Sequence, residues 1–496
     1  MKTLLALSSV LALAGPASAD YAGWKHSGSV YVLTTPEGAD LPAPASVEGF
    51  PLLVRLHKDY FDFAQAKANG EDLRFASAKG EPLPYQIEEW DATKGVASVW
   101  VRVPRITGNA RQEIKLYWGK ADAKAESDGK AVFNEANGYV SVWHMTGPVK
   151  DAVGTLESQD TGTTPTAGVV GQARHFAGKQ GVFGGDKIPN YPAGAGSHST
   201  EAWVRAERPN ATILGWGNEG GGRGSKVRMQ LRSPPHVHID SDFSDVRGEG
   251  RVPLGEWVHV CHTYDREDGK VYINGKLDAS AKPLLNIKAP ARLWIGGWYN
   301  NYDFVGDIDE VRVSKVARPA DWIRLEYENQ KPLQTLVGPV VRPGNEFGLA
   351  ETEGTLPEGK SMTFHAKAGG AQKVYWSVVR DGKEAVVATD RFAYTLDAGR
   401  VVGDQTPTLR FKAVYATETK TKDVPITIKE AIPEPAFTLQ APAAWDGRKT
   451  IEVVPQITNL EEMRATGADR LNCTWGVSDI ATIQDAAPGK LVLNRA

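Results

Sequence analysis

Apolar and polar residues alternate with a period of two along most of the chain, and the alternation breaks at Gly, Pro, Asn and Asp. That pattern marks short strands with one buried face. In VWVRV, Val99, Val101 and Val103 share one face while Trp100 and Arg102 take the other. Strands are expected at 51–56, 73–76, 86–90, 97–103 and 112–118. More follow at 139–144, 174–176, 199–205, 212–216, 227–232, 237–240, 257–264, 270–273, 292–295 and 306–313. Asn274-Gly275, between VYI and KLD, predicts a two-residue hairpin because both positions tolerate positive φ. Helical spacing is confined to one short segment, 319–329, with Pro319 at its start and Trp322 and Leu325 toward one side. Glu326 and Glu328 within it read as solvated.

The breaks divide the chain into an all-β, multi-domain series. Residues 1–19 read as a signal peptide: Lys2, an apolar run from Leu4 to Leu13 too short to span a bilayer, then Ala17-Ser18-Ala19. A first β domain of unknown function covers 20–130, closed by a charged linker at 119–134. About ten evenly spaced strands at 135–331 predict two packed antiparallel sheets, a jelly roll. Residues 340–430 read as an immunoglobulin-like sandwich, and 436–496 as a partial one, cut inside the domain. Each of these last two places a Trp, Trp376 and Trp475, in a central strand.

Length and composition agree with this reading and narrow it. The chain has 496 residues and a formal charge of −3, from 57 basic and 60 acidic side chains, which excludes a strongly basic nucleic-acid binder. No later run is long and apolar enough for a membrane span. Two cysteines, Cys261 and Cys473, cannot scaffold a fold, and both are expected as buried free thiols. A leader implies export, to a secreted, periplasmic or cell-surface location.

The segments EAWVRAE (201–207), GEWVHVCHTYD (255–265), GKVYINGK (269–276), LWIGG (293–297) and FVGDIDEVRVSKVARP (304–319) occur in this order. Together they resemble the laminin-G-like, concanavalin-A-like jelly roll of bacterial envelope proteins. FPLLVRL, DLRFASAKGEPLPYQIEEWD and VWVRVPRI…IKLYWG resemble a bacterial domain-of-unknown-function family that commonly precedes such jelly rolls. The resemblance implies architecture more than chemistry, since jelly rolls host both lectins and hydrolases. It also implies a calcium ion held by an Asp of the closing strand and turn groups near the domain start, here Asp307 or Asp309 with Asp151.

Catalytic signatures are lacking. The paired-carboxylate pattern of jelly-roll glucanases, Glu-x-Asp-x-x-Glu, does not occur, and neither does G-x-S-x-G. Asp307 and Asp309 share a strand face roughly 6.6–7 Å apart, but IDEVRV is a recurrent closing strand of non-catalytic modules. His236, His238 and Asp240 share one face, either as a metal or acid/base cluster or as the polar outside of a sheet. His259 and His262 fall on opposite faces. The loop Trp298-Tyr299-Asn300-Asn301-Tyr302 mixes rings with amides, the chemistry of sugar recognition; its alternative is that Trp298 and Tyr302 close the end of the core. The expected function is therefore non-catalytic glycan binding or adhesion at the cell envelope. A polysaccharide-degrading hydrolase and a structural spacer are the alternatives.

Overall fold

The computed structural model describes residues 20–154, 156–188, 190–298, 303–468, 473–487 and 489–496. The expected leader and four of the five loop residues, Tyr299, Asn300, Asn301 and Tyr302, lie outside them. Among the described residues no helix is long and apolar enough to cross a membrane.

The first unit is a small antiparallel sandwich. Its strands are β1 (His26–Leu33), β2 (Ser46–His57), β3 (Arg74–Ser77), β4 (Pro82–Leu83), β5 (Tyr85–Asp91), β6 (Val96–Thr107) and β7 (Arg111–Trp118). One sheet runs β1-β7-β3-β4 and the other β2-β6-β5. The predicted linker is docked, not loose: Arg74 donates to the Lys124 carbonyl (2.8 Å) and to Glu126 (2.7 Å). It ends in a one-turn helix, α1 (Gly129–Val132), capped by Asp128.

The jelly roll begins at β8 (Tyr139–Trp143), followed by β9 (Gln159–Asp160), β10 (Thr164–Ala167), β11 (Gln172–Ala177) and β12 (Val182–Ile188). Next come β13 (His198–Ala206), β14 (Ala211–Gly217), β15 (Lys226–Arg232), β16 (His236–Asp240) and β17 (Val246–Arg247). The last five are β18 (Val258–Tyr264), β19 (Gly269–Ile273), β20 (Lys276–Ala281), β21 (Ala291–Ile295) and β22 (Val305–Ser314). An eight-stranded sheet runs β10-β11-β22-β13-β18-β19-β20 with β8 also on β22; a seven-stranded sheet runs β17-β16-β15-β14-β21-β12-β9. Their facing sides hold one apolar core, including Val204, Trp216, Met229, Val260, Leu293 and Val311. The Asn274-Gly275 turn is present, with φ of 49° and 75°, and the predicted helix is α2 (Ala320–Gln330), entered from Pro319.

The outer side of the eight-stranded sheet is covered around β8, β13 and β22. Trp203, Val142, Tyr139 and the α2 residues Trp322 and Leu325 belong to one apolar cluster with Phe50, Leu53 and Trp100 of the first unit. The chain then returns to β1: Leu33 N–H donates to Leu336 O (2.7 Å), Gly338 N–H to Tyr31 O (3.0 Å) and Val341 N–H to Ser29 O (2.8 Å).

The third unit contains β23 (Phe347–Leu349), β24 (Gly354–Pro357), β25 (Ser361–Ala368), β26 (Lys373–Arg380), β27 (Lys383–Thr389), β28 (Ala393–Asp397), β29 (Thr408–Val414) and β30 (Thr419–Lys429). Its sheets are β23-β25-β28 and β24-β30-β29-β26-β27, and Trp376 of β26 is fully buried between them. It docks on the first unit, where Tyr375 donates to Glu37 O (2.5 Å) and Phe392 N–H to Asp59 (2.8 Å).

The last unit differs from expectation. β31 (Phe437–Gln440), β32 (Ile451–Ile457), β33 (Ala481–Ala487) and β34 (Lys490–Arg495) form one sheet, with an unpredicted helix α3 (Leu460–Ala465). Trp475 stands outside any strand, and Cys473 is exposed, not buried. Among the described residues a single layer offers no second sheet: Cys473 stays exposed, and Trp475 is half-buried against Val453, Leu491 and Leu493. Cys261 is a buried free thiol as expected.

Candidate binding face and a buried charged seam

Alternation along β15 and β16 sends Val227, Met229, Leu231, Val237 and Ile239 into the core. Arg228, Gln230, Arg232, His236, His238 and Asp240 are left on the outer face of the seven-stranded sheet. Ladder register aligns one row straight across that face: Asp240 opposite Arg228, Arg228 opposite Gly215, Gly215 opposite Trp294, and Trp294 opposite Phe183. Gly215 and Gly217 of β14 project no side chain, so the row has a trough, with Lys226 and Arg228 on one bank and Arg292 and Trp294 on the other. Phe183 and Trp294 are half-buried, with ring centroids 5.1 Å apart, and Arg292 lies over both at 5.3 and 5.8 Å. Arg292 also pairs with exposed Asp186 at 2.5 Å.

Trp298 lies in this trough. A Cβ on Gly215 would come within 2.6 Å of its ring, so only glycine admits it. Its indole N–H donates to Glu219, which also holds Lys226 Nζ at 2.8 Å. Lys226 is 1% exposed and further bonded to Asp242 (2.7 Å). Trp298 itself is 1% exposed, so its ring is not an open stacking surface. Nor does it join the inter-sheet core. It is buried on the outside of the sheet, a third outcome that neither sequence reading contained. His236, His238 and Asp240 share the outer face as expected; His238 pairs with Asp245 (3.1 Å) and Asp240 with Arg228.

The three expected calcium ligands are not one ligand group. Asp151 is buried and accepts backbone N–H bonds from Val142 (2.9 Å), Val153 (3.1 Å) and Leu156 (3.1 Å). Asp307 is held by His175 (2.8 Å) and Arg205 (2.7 Å). Asp309 accepts from Val169 (2.8 Å) and Val170 (3.1 Å). Asp307 and Asp309 share a face, as their spacing predicts, but each is engaged by different neighbours.

A second constellation, unforeseen from sequence, fills the seam between the first unit and the jelly roll. An extra residue in β22 bulges its ladder with β13, and Glu310 takes φ of 46° there. Asp309, Glu310 and Arg312 thereby all face the first unit. Glu310 is bonded to His144 Nδ1 (2.9 Å) and Arg312 (2.6 Å). Glu88 of β5 accepts from Trp100 (2.6 Å) and Thr146 (2.7 Å) and lies 3.4 Å from His144. Arg312 reaches Glu326 of α2 (3.2 Å) and stacks 4.6 Å over Trp100. Glu326 is fully buried, contrary to its solvated reading. Burial, reinforced by neighbouring carboxylates, pushes the Glu88 and Asp309 carboxyls well above the usual range and Glu326 up to about 8. Despite its burial, Glu310 is held below the ordinary range by His144 and Arg312.

Comparison with known proteins follows the same division. Residues 69–142 match the family described as Domain of unknown function (DUF2341), and residues 181–324 match the Concanavalin A-like lectin/glucanases superfamily. The chain thus carries these two domains in the order the sequence motifs indicated, in an all-β, multi-domain architecture. No curated protein shows significant similarity to it. Domain 4 of a GH43 extracellular arabinanase from Geobacillus stearothermophilus, solved with arabinotriose, is 20% identical over 38% of this chain and 97% of that one, with a TM-score of 0.32. A SAP-like pentraxin from Limulus polyphemus is 16% identical over 31% and 80%, TM-score 0.25. A Trypanosoma rangeli sialidase is 13% identical over 49% and 43%, TM-score 0.31.

Proposed function

We propose that this is an exported, non-catalytic carbohydrate-binding protein of the cell envelope, and that its glycan docks on the outer face of the seven-stranded sheet. The observation that carries the reading is the aligned row: half-buried Phe183 and Trp294 with Arg292 over both rings, beside a glycine trough that Trp298 fills. Aromatic faces stack on the C–H face of a sugar, and fixed charged and amide groups read its hydroxyls. Tyr299, Asn300, Asn301 and Tyr302, which follow Trp298 in sequence, carry the rings and amides that suit sugar recognition. The concanavalin-A-like match supports a sugar ligand, because that superfamily is described by its lectins and glucanases. A calcium ion remains an expectation of the resemblance, tested by melting with and without chelator.

A glycan array with the full chain, followed by titration of the best ligand against wild type and Trp294→Ala, tests the reading. One lost stacking ring should weaken binding several-fold to about tenfold, with melting little changed. An array without any bound glycan would favour the structural-spacer reading, and unchanged affinity in Trp294→Ala would remove the site from this face.

A further inference from the structure

Glu201 of β13, His259 of β18 and Glu326 of α2 meet beneath the helix where it crosses the eight-stranded sheet. All three are buried, at 3%, 1% and 0% exposure, and one donor atom from each lies within 4.8 Å of the others. Each carboxylate is occupied on one side only. Glu326 Oε1 accepts from Arg312 (3.2 Å) and Tyr139 (3.2 Å), and Glu201 Oε1 faces Arg312 at 3.9 Å. The second oxygen of each is buried and makes no hydrogen bond. Buried acceptors without donors are costly and rare, and two beside the His259 ring call for a common partner.

The spacing indicates what that partner is. His259 Nε2 stands 3.4 Å from Glu201 Oε2, without the alignment of a hydrogen bond. A tetrahedral ion with bonds of about 2.0–2.2 Å separates its ligands by about 3.3–3.6 Å. Two carboxylate oxygens and one imidazole nitrogen suit a borderline divalent ion better than calcium, which takes more oxygens. Arg312 and Tyr139, bonded to the far oxygens, would orient the carboxylates as supporting groups. Glu201, Glu326 and Glu310 all converge on the guanidinium of Arg312, and a dication between the first two would relieve that crowding of carboxylates.

We propose that Glu201, His259 and Glu326 form a structural site for a divalent transition-metal ion of the zinc type, which fastens α2 to the sheet and so locks the seam. The site lies on the opposite sheet from the proposed glycan face, and either reading can fail without the other.

The test uses the full chain expressed in zinc-supplemented medium, dialysed against metal-free buffer and measured by plasma mass spectrometry. Roughly one zinc per chain should be retained in wild type and in a His236→Ala/His238→Ala control, and little in Glu326→Gln or His259→Gln. Chelation at raised temperature should lower the melting temperature of wild type by several degrees and leave Glu326→Gln unaffected. Should Glu326→Gln not fold, Glu201→Gln serves in its place. Wild type without zinc overturns the proposal, and so does zinc retained by the Glu variants but lost from the surface-histidine control.

Discussion

The two outer faces of the jelly roll are built from the same kinds of residue and have opposite fates. On the seven-stranded sheet, Arg292 pairs with an Asp186 that is 60% exposed. On the eight-stranded sheet, Arg312 pairs with Glu310 and Glu326 at 0% exposure, under the first unit and α2. A strand pattern says only that a side chain points away from its own core. Whether it then meets water or another domain depends on residues far away in sequence, and that decides what the charge is worth.

The sharpest way to break the comparison is to delete one arginine from each face. Arg312→Ala strands buried carboxylates and should cost about 3–5 kcal/mol, toward the upper end because several are left at once. Arg292→Ala removes a partly solvated pair and should cost no more than about 1 kcal/mol. Denaturant midpoints of the two variants give the answer, and equal losses would mean that the seam is wet.

Trp298 refines the contrast, since it is buried, with Lys226 and Arg228, on the same face that carries half-buried Arg292. Trp298→Ala should destabilise by about 3–4 kcal/mol through the cavity it leaves over Gly215. A melting temperature like that of wild type would show that the ring is expendable to the fold and free to serve a ligand.

The space between the sheets supplies a third environment. His198 packs there against Trp216, Tyr264 and His262, and burial holds it down to about 4, from an ordinary 6.5. His262 is likewise well below its ordinary range. The unfolded chain takes up these protons as pH falls through about 6.5, whereas folded His198 does so only near 4. The contribution of His198 is whole above about pH 6.5 and is lost as pH falls toward 4, worth about 3 kcal/mol in total. Unfolding free energies at pH 7 and pH 5 should differ less in His198→Phe than in wild type; an equal difference would place the acid sensitivity elsewhere.

What the sequence disclosed follows from which signals are local. Alternation in VHVCHTY placed His259 and His262 on opposite faces, and they lie in the seam and the inter-sheet core respectively. The Asn274-Gly275 turn and the α2 segment beginning after Pro319 were legible for the same reason. The seam was not. Glu88 and Glu310 are more than two hundred residues apart, and Glu326 looks solvated on a helix whose polar side is covered only once it lies against the eight-stranded sheet. The bulge that turns Glu310 toward His144 carries no Gly or Pro to announce it. In the last unit, alternation around Trp475 suggested a strand, but with one layer among the described residues its ring only half-buries against Val453, Leu491 and Leu493.

The return of the chain to β1 has a mechanical consequence. The jelly roll lies on a closed detour: the chain leaves the first unit after β7 and comes back at Leu336–Val341, antiparallel to β1 at Val32 and Val337. Tension applied between the first and third units is borne by this short ladder and by the direct links Tyr375–Glu37 and Phe392–Asp59, and not by the jelly roll. Because the pairing is antiparallel, a pull on both ends peels it one rung at a time, starting from Ser29 and Val341. The outer face of the seven-stranded sheet thus hangs outside the load path and keeps its shape until the ladder has parted.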